Sequence, residues 1–129
     1  MTSLQLDDLL TELRRRHWTL FRWGEANAPT LIAAVQQWDA CADVLILRSE
    51  DDATAFRVPD AQGSNVLVPE KVSYQYHASA LWTLRAILSL PTPDSTAAPT
   101  TIETPHAKCR VPEGLPRPIV IRPLSPHPK

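Results

Sequence analysis

The stretch Asp43–Pro59, DVLILRSEDDATAFRVP, limits the fold of this chain more than any other. Val44, Leu45, Ile46 and Leu47 are apolar at consecutive positions, the pattern of a strand buried on both faces. From Ala53 to Val58 the residues alternate, with Thr54, Phe56 and Val58 opposed to Ala53, Ala55 and Arg57, which predicts a strand with one covered face. Between them Ser49-Glu50-Asp51-Asp52 is too polar to bury and lacks an Asn-Gly or Asp-Gly pair, so a connection of about three to five residues is expected.

Upstream, Thr2 and Gln5 form a capping-box pattern, and Leu6, Leu9, Leu10 and Leu13 fall at i, i+3, i+4 and i+7, predicting an amphipathic helix. Asp7 and Asp8 lie toward its amino end and Arg14-Arg15-Arg16 toward its carboxyl end, as the helix dipole favours. Trp18–Trp23 alternates as a strand, and Gly24–Pro29 breaks the pattern as a turn. Residues 30–38 fit two readings. Leu31, Val35 and Trp38 have helical spacing among helix-favouring alanines and glutamines, and helix is the preferred reading; as a strand the segment would make an antiparallel meander of four.

Beyond Val58, Pro59–Asn65 reads as a surface loop, and Val66–Val68 as a short strand or an anchor. Pro69-Glu70 reads as the first turn of a last helical region. Tyr74–Leu90 is predicted as the helix that covers the sheet, with Ala80, Leu81, Leu84, Ile87 and Leu88 as its apolar stripe and Gln75, Ser79, Thr83 and Ser89 as its polar one. Pro91 and Pro93 end it.

Ten of the 13 prolines lie at or after Pro91, and the formal charge divides there too, −3 before it and +2 from it on. The expectation is therefore an α+β fold: residues 1–90 form a compact domain of three or four strands covered by an N-terminal and a C-terminal helix. Residues 91–129 form an extended Pro-rich arm, disordered or strapped onto the domain or a partner. Within the arm, Ile119-Val120-Ile121 between Arg117 and Arg122 has the composition of a strand that adds to a sheet edge, in its own chain or in a neighbour.

The first 16 residues mix acids and bases, unlike a secretory signal, and no apolar run nears the roughly 20 residues that span a bilayer. A cytoplasmic protein with no membrane association is expected. Cys41 and Cys109 make no disulfide framework and have no CxxC partner; a bridge between them would need an oxidising compartment.

Few residues suggest chemistry. Glu50, Asp51, Asp52 and Asp60 lack the ligand spacing of a calcium loop, and their reading is a solvated turn. No GxSxG, P-loop or GxGxxG occurs, so no catalytic residue, cofactor or metal is assigned. The leading expectation is a non-enzymatic interaction module whose arm, through Arg117, Ile119, Val120, Ile121 and Arg122, binds a protein partner or a second copy as a homodimer. The first alternative is a small-ligand-binding protein or enzyme with His77, Trp82 and Trp38 in a Trp-lined pocket. The second is nucleic-acid association through Arg14–Arg16, Trp18 and Arg22, ranked lowest because the helix dipole already accounts for the arginines.

Overall fold

The computed structural model describes residues 3–25, 27–61 and 65–124, with side chains from residue 7 onward. The Thr2–Gln5 capping box and the Leu6 side chain lie outside the described residues, as do Ala26 and residues 62–64 of the two expected turns. In chain order the elements are α1 (Ser3–Arg15), β1 (Thr19–Glu25), β2 (Ala28–Gln37), β3 (Cys41–Ser49), β4 (Asp52–Pro59), β5 (Tyr74–Ala78), α2 (Ala80–Leu88) and β6 (Ile119–Ile121). They build one six-stranded sheet in the order β5-β4-β3-β2-β1-β6, with every neighbouring pair antiparallel. The class is α+β, but the expected sheet of three or four strands is corrected to six.

Each added strand has a physical cause. Of residues 30–38, preferred as a helix, all but Trp38 belong to β2, because Leu31 and Ala33 enter one core cluster while Ile32 and Ala34 enter the other. Four consecutive buried positions on two faces fit a central strand, and pairing with β1 and β3 overrides the helix propensity of Ala and Gln. The β1–β2 turn depends on Gly24, whose φ is +94° at a register shift and whose added Cβ would lie 2.7 Å from Thr30 N.

Tyr74–Leu90 is not one helix. Tyr74–Ala78 pairs with β4, and Ser79, extended at φ −64° and ψ 163°, starts α2 by accepting a bond from Trp82 N at 3.5 Å. No helix begins at Pro69-Glu70; Val72, close behind, bridges to Glu103 instead. The buried line of α2 is Ala80, Thr83, Leu84 and Ile87, at i, i+3, i+4 and i+7. Thr83, expected on the polar side, is therefore buried, and Leu81, expected in the stripe, is exposed.

Helix α1 ends in a Schellman turn: Trp18 N donates to Leu13 O at 3.0 Å, His17 N donates to Arg14 O at 3.1 Å, and His17 takes the left-handed φ of 69°. The turn delivers Leu13 and Trp18 together into the first core cluster and starts β1. Asp7 and Asp8 fall in the second turn of α1, so the first turn carries no acid; Arg14 and Arg15 do lie in the last.

Both faces of the sheet are apolar. Leu20, Ile32, Ala34, Leu45, Leu47, Ala53 and Ala55 face α1 and α2, which supply Leu13, Ala80, Leu84 and Ile87. On the other face, Leu31, Ala33, Val44, Ile46, Phe56 and Val58 are covered by chain without regular structure, through Leu67, Val72, Cys109 and Val111. The β3–β4 hairpin is paired as expected, but β4 is buried on both faces and not on one, because that second cover exists.

Among the described residues, one ion pair is buried in this core. Asp43 and Arg57 stand directly opposite each other on β3 and β4 with 4% and 3% of their side chains exposed. Arg57 Nε and Nη2 donate to the two Asp43 oxygens at 2.6 and 2.9 Å, a bidentate fork. Trp38 Nε1 adds a bond to Asp43 at 3.0 Å, and Arg57 Nη1 donates to Pro91 O at 2.8 Å. The network thus ties the hairpin to the β2–β3 turn and to the chain leaving α2.

Asp43→Ala strands a buried guanidinium and is expected to cost about 3–5 kcal/mol in urea unfolding, whereas Asp43→Leu combined with Arg57→Met is expected to cost less than that single change. At the end of α1, His17→Gly should raise stability by up to about 1 kcal/mol, the left-handed penalty partly offset by the freedom glycine adds to the unfolded chain. Thermal unfolding of the variant reads this directly.

Candidate functional site

The arm residues Arg117, Ile119, Val120, Ile121 and Arg122 lie together at one edge of the sheet. Ile119, Val120 and Ile121 pair with Arg22, Phe21 and Leu20 of β1, and β6 is the terminal strand. Ile121 packs against the first core cluster, while Ile119 and Val120 are 53% and 49% exposed. Backbone anchors hold the strand on either side: Trp23 Nε1 donates to Pro116 O at 2.8 Å, and Arg14 Nε donates to Arg122 O at 2.9 Å. A groove of about 230 Å³ separates β6 from α1, lined by Leu10, Arg14, Arg22 and Ile121 among others. What this edge offers is two aliphatic side chains, a strand side that no other described strand pairs with, and two flanking guanidinium groups. Those are the elements of strand-addition docking.

His77, Trp82 and Trp38 are not brought together. His77 lies on β5 opposite Thr54, on the sheet face away from the helices, and not on the helix expected over Tyr74–Leu90. Trp82 projects from α2 near the β3–β4 turn, whereas Trp38 sits at the far end of β3 bonded to Asp43. Of the other tryptophans, Trp23 enters the second core cluster and Trp18, 3% exposed, enters the first, so Trp18 offers no ring face to a base.

His77 instead joins a polar clasp between the sheet and the arm. Its Nδ1 lies 3.2 Å from the Thr54 hydroxyl, and its ring centroid is 4.8 Å from that of His106. Arg48 donates to the same hydroxyl at 3.0 Å and also to Lys108 O, while Asp52 pairs with both Arg48 and Lys108. Gln75 Oε1 accepts from His106 N at 2.9 Å and from Cys109 Sγ at 3.4 Å. Partial burial holds the His77 imidazole below its ordinary value, helped by the positive groups of His106, Lys108 and Arg48 and opposed by Asp52. Burial pushes the Cys109 thiol up to about 11 and raises that of Cys41, so neither is a ready nucleophile. The two cysteines are free and buried, with no bridge between them.

A second surface had no counterpart in the sequence reading. Leu81 and Trp82, 48% and 58% exposed, open onto a cleft of about 430 Å³ with Leu9 of α1, and Asp8, Glu50 and Asp51 line it. The signal for it was Ser79: a cap there starts the buried line at Ala80 and turns Leu81 and Trp82 outward.

Among the described residues, no three His, Cys, Asp or Glu side chains gather to hold a metal ion, and no helix is long and apolar enough to cross a membrane. Comparison with protein-family models, curated proteins and solved structures finds no match to this chain.

The clasp has a pH dependence of definite sign. A lowered folded-state value means the fold favours neutral His77, so this contribution is intact above the ordinary imidazole value and is lost as pH falls below it. Amide exchange over residues 103–109, corrected for intrinsic rates, should accelerate relative to β3 between about pH 7.5 and 5.5. In His77→Gln that acceleration should flatten.

Proposed function

We propose that this chain is a non-enzymatic interaction module that engages a protein surface, first of all that of a second copy, through the β6 edge of its Pro-rich arm. The observation that carries the reading is the half exposure of Ile119 and Val120 on a terminal strand. Large aliphatic side chains set in an uncovered edge favour association, since pairing removes them from water and satisfies the open backbone groups together. The flanking Arg117 and Arg122 add directionality without a buried charge, being exposed themselves. The groups with chemical potential point elsewhere: His77 and Cys109 are engaged in holding the arm down.

The test is the mass of the full chain in solution over a range of concentrations. Wild type should self-associate, and Val120→Asp should be monomeric with its unfolding free energy within about 0.5 kcal/mol of wild type, as for an exposed site. Equal association by both proteins would overturn the reading.

A further inference from the structure

We propose that the cleft of Leu9, Leu81 and Trp82 receives the arm of a second copy, so that the chain associates head to tail. This rests on the arm reading above and adds the surface that answers it.

The two surfaces are opposite in charge and alike in polarity. The arm shows Ile119 and Val120 between Arg117 and Arg122. The cleft shows Leu81 and Trp82 with three carboxylates from two elements, Asp8 on α1 and Glu50 and Asp51 in the β3–β4 turn. The Arg85 guanidinium lies 5.3 Å from the centre of the Trp82 ring and steadies the indole against α2, yet the residue stays more exposed than any other large apolar side chain among those described. A rigid aromatic with a charged surround has the composition of an interface anchor. The cleft volume, about 430 Å³, suits a few side chains and not a folded domain.

The occupant cannot be the chain's own β6 segment. Helix α2 packs over β3, β4 and β5, while β6 lies beyond β1, with the breadth of β2 and β1 between. Four strand spacings separate β4 from β6, roughly 19 Å, and the arm is tied to that edge by its pairing with β1 and by Trp23 and Arg14. A head-to-tail contact, made one way between unlike surfaces, extends into a ring or a chain, whereas edge-to-edge pairing of two β6 strands, like a reciprocal exchange of two arms, stops at a dimer.

Mixing complementary variants decides between these. Val120→Asp keeps the cleft and loses the arm; Trp82→Ala keeps the arm and loses the cleft. Sedimentation velocity of the full-length proteins, with circular dichroism to confirm folding, should show wild type growing beyond a dimer as concentration rises. Each variant alone should be weakened by more than about ten-fold. An equimolar mixture should form a one-to-one heterodimer that grows no further. Asp51→Arg, a change in an exposed turn, should reproduce the Trp82→Ala result and guards against local damage to α2. If Trp82→Ala and Asp51→Arg associate like wild type while Val120→Asp does not, the cleft assignment is wrong and the arm reading stands. If Val120→Asp associates like wild type, or wild type stays monomeric throughout, both are wrong. A wild-type assembly that ends at a dimer, or a mixture that fails to pair, also overturns the head-to-tail contact.

Discussion

A sheet with two apolar faces must be covered twice, and this requirement organises the whole molecule. Strand β3 sends Leu45 and Leu47 to one side and Ala42, Val44 and Ile46 to the other, and all five are buried. The two helices, 13 and 9 residues long, lie over the first side. The second side is covered by chain with no regular structure, which has no internal ladder to satisfy its peptide groups. Its bonds are therefore scattered: Val72 and Glu103 exchange two at 3.0 and 2.7 Å, and Val111 N reaches Leu67 O at 3.0 Å. Proline suits such a cover, since each one removes a donor that would otherwise need a partner.

Polar groups fix the cover at its margins while apolar groups fill its middle. Cys109 and Val111 lie over the second cluster, and beside them the buried Thr54 hydroxyl is met by Arg48 and His77. Arg48 also reaches Lys108 O, so one guanidinium joins a core strand to the arm. Toward the other end of the hairpin, Arg57 does the same for the helix side by donating to Pro91 O just after α2. The two arginines are thus two of the points at which the sheet is coupled to chain outside it. A charge is costly to bury unless it is paired and hydrogen-bonded, and each of the three Arg57 nitrogens donates, two of them to Asp43 and one to Pro91 O.

The hairpin from Cys41 to Pro59 was legible in the residues because a continuous apolar run followed by an alternating one leaves little choice. Its register carried more than was taken from it: pairing Val44 with Phe56 necessarily sets Asp43 against Arg57, so the buried ion pair could have been inferred. Residues 30–38 were misread because Leu31, Val35 and Trp38 mimic a helical period, while the double-sided burial that decides the matter depends on neighbours distant in sequence. In YQYHAS the alternating tyrosines marked a strand and Ser79 marked a cap, but the apolar run that follows obscured both. As a result His77 was placed on the wrong kind of element, and its meeting with His106 had no local trace, being a contact between residues 29 positions apart in the chain with α2 between them.

The two edges of the sheet are protected in different ways, and the difference bears on function. Along β5, Gln75 bonds to Glu103, Thr104 and His106, so the arm shelters that edge. Strand β6 is instead kept to three residues, with Pro118 before it and Pro123 shortly after it. A short proline-bounded edge cannot propagate an extended sheet, which guards against indiscriminate aggregation. The same edge still presents Ile119 and Val120 to solvent, where selection for solubility alone would favour polar residues. The charge partition of the chain then narrows what such an edge can meet. With an acidic body and a basic arm, a second copy offers the arm an opposite charge, and within one chain the Lys108–Asp52 pair already uses that attraction to hold the strap in place.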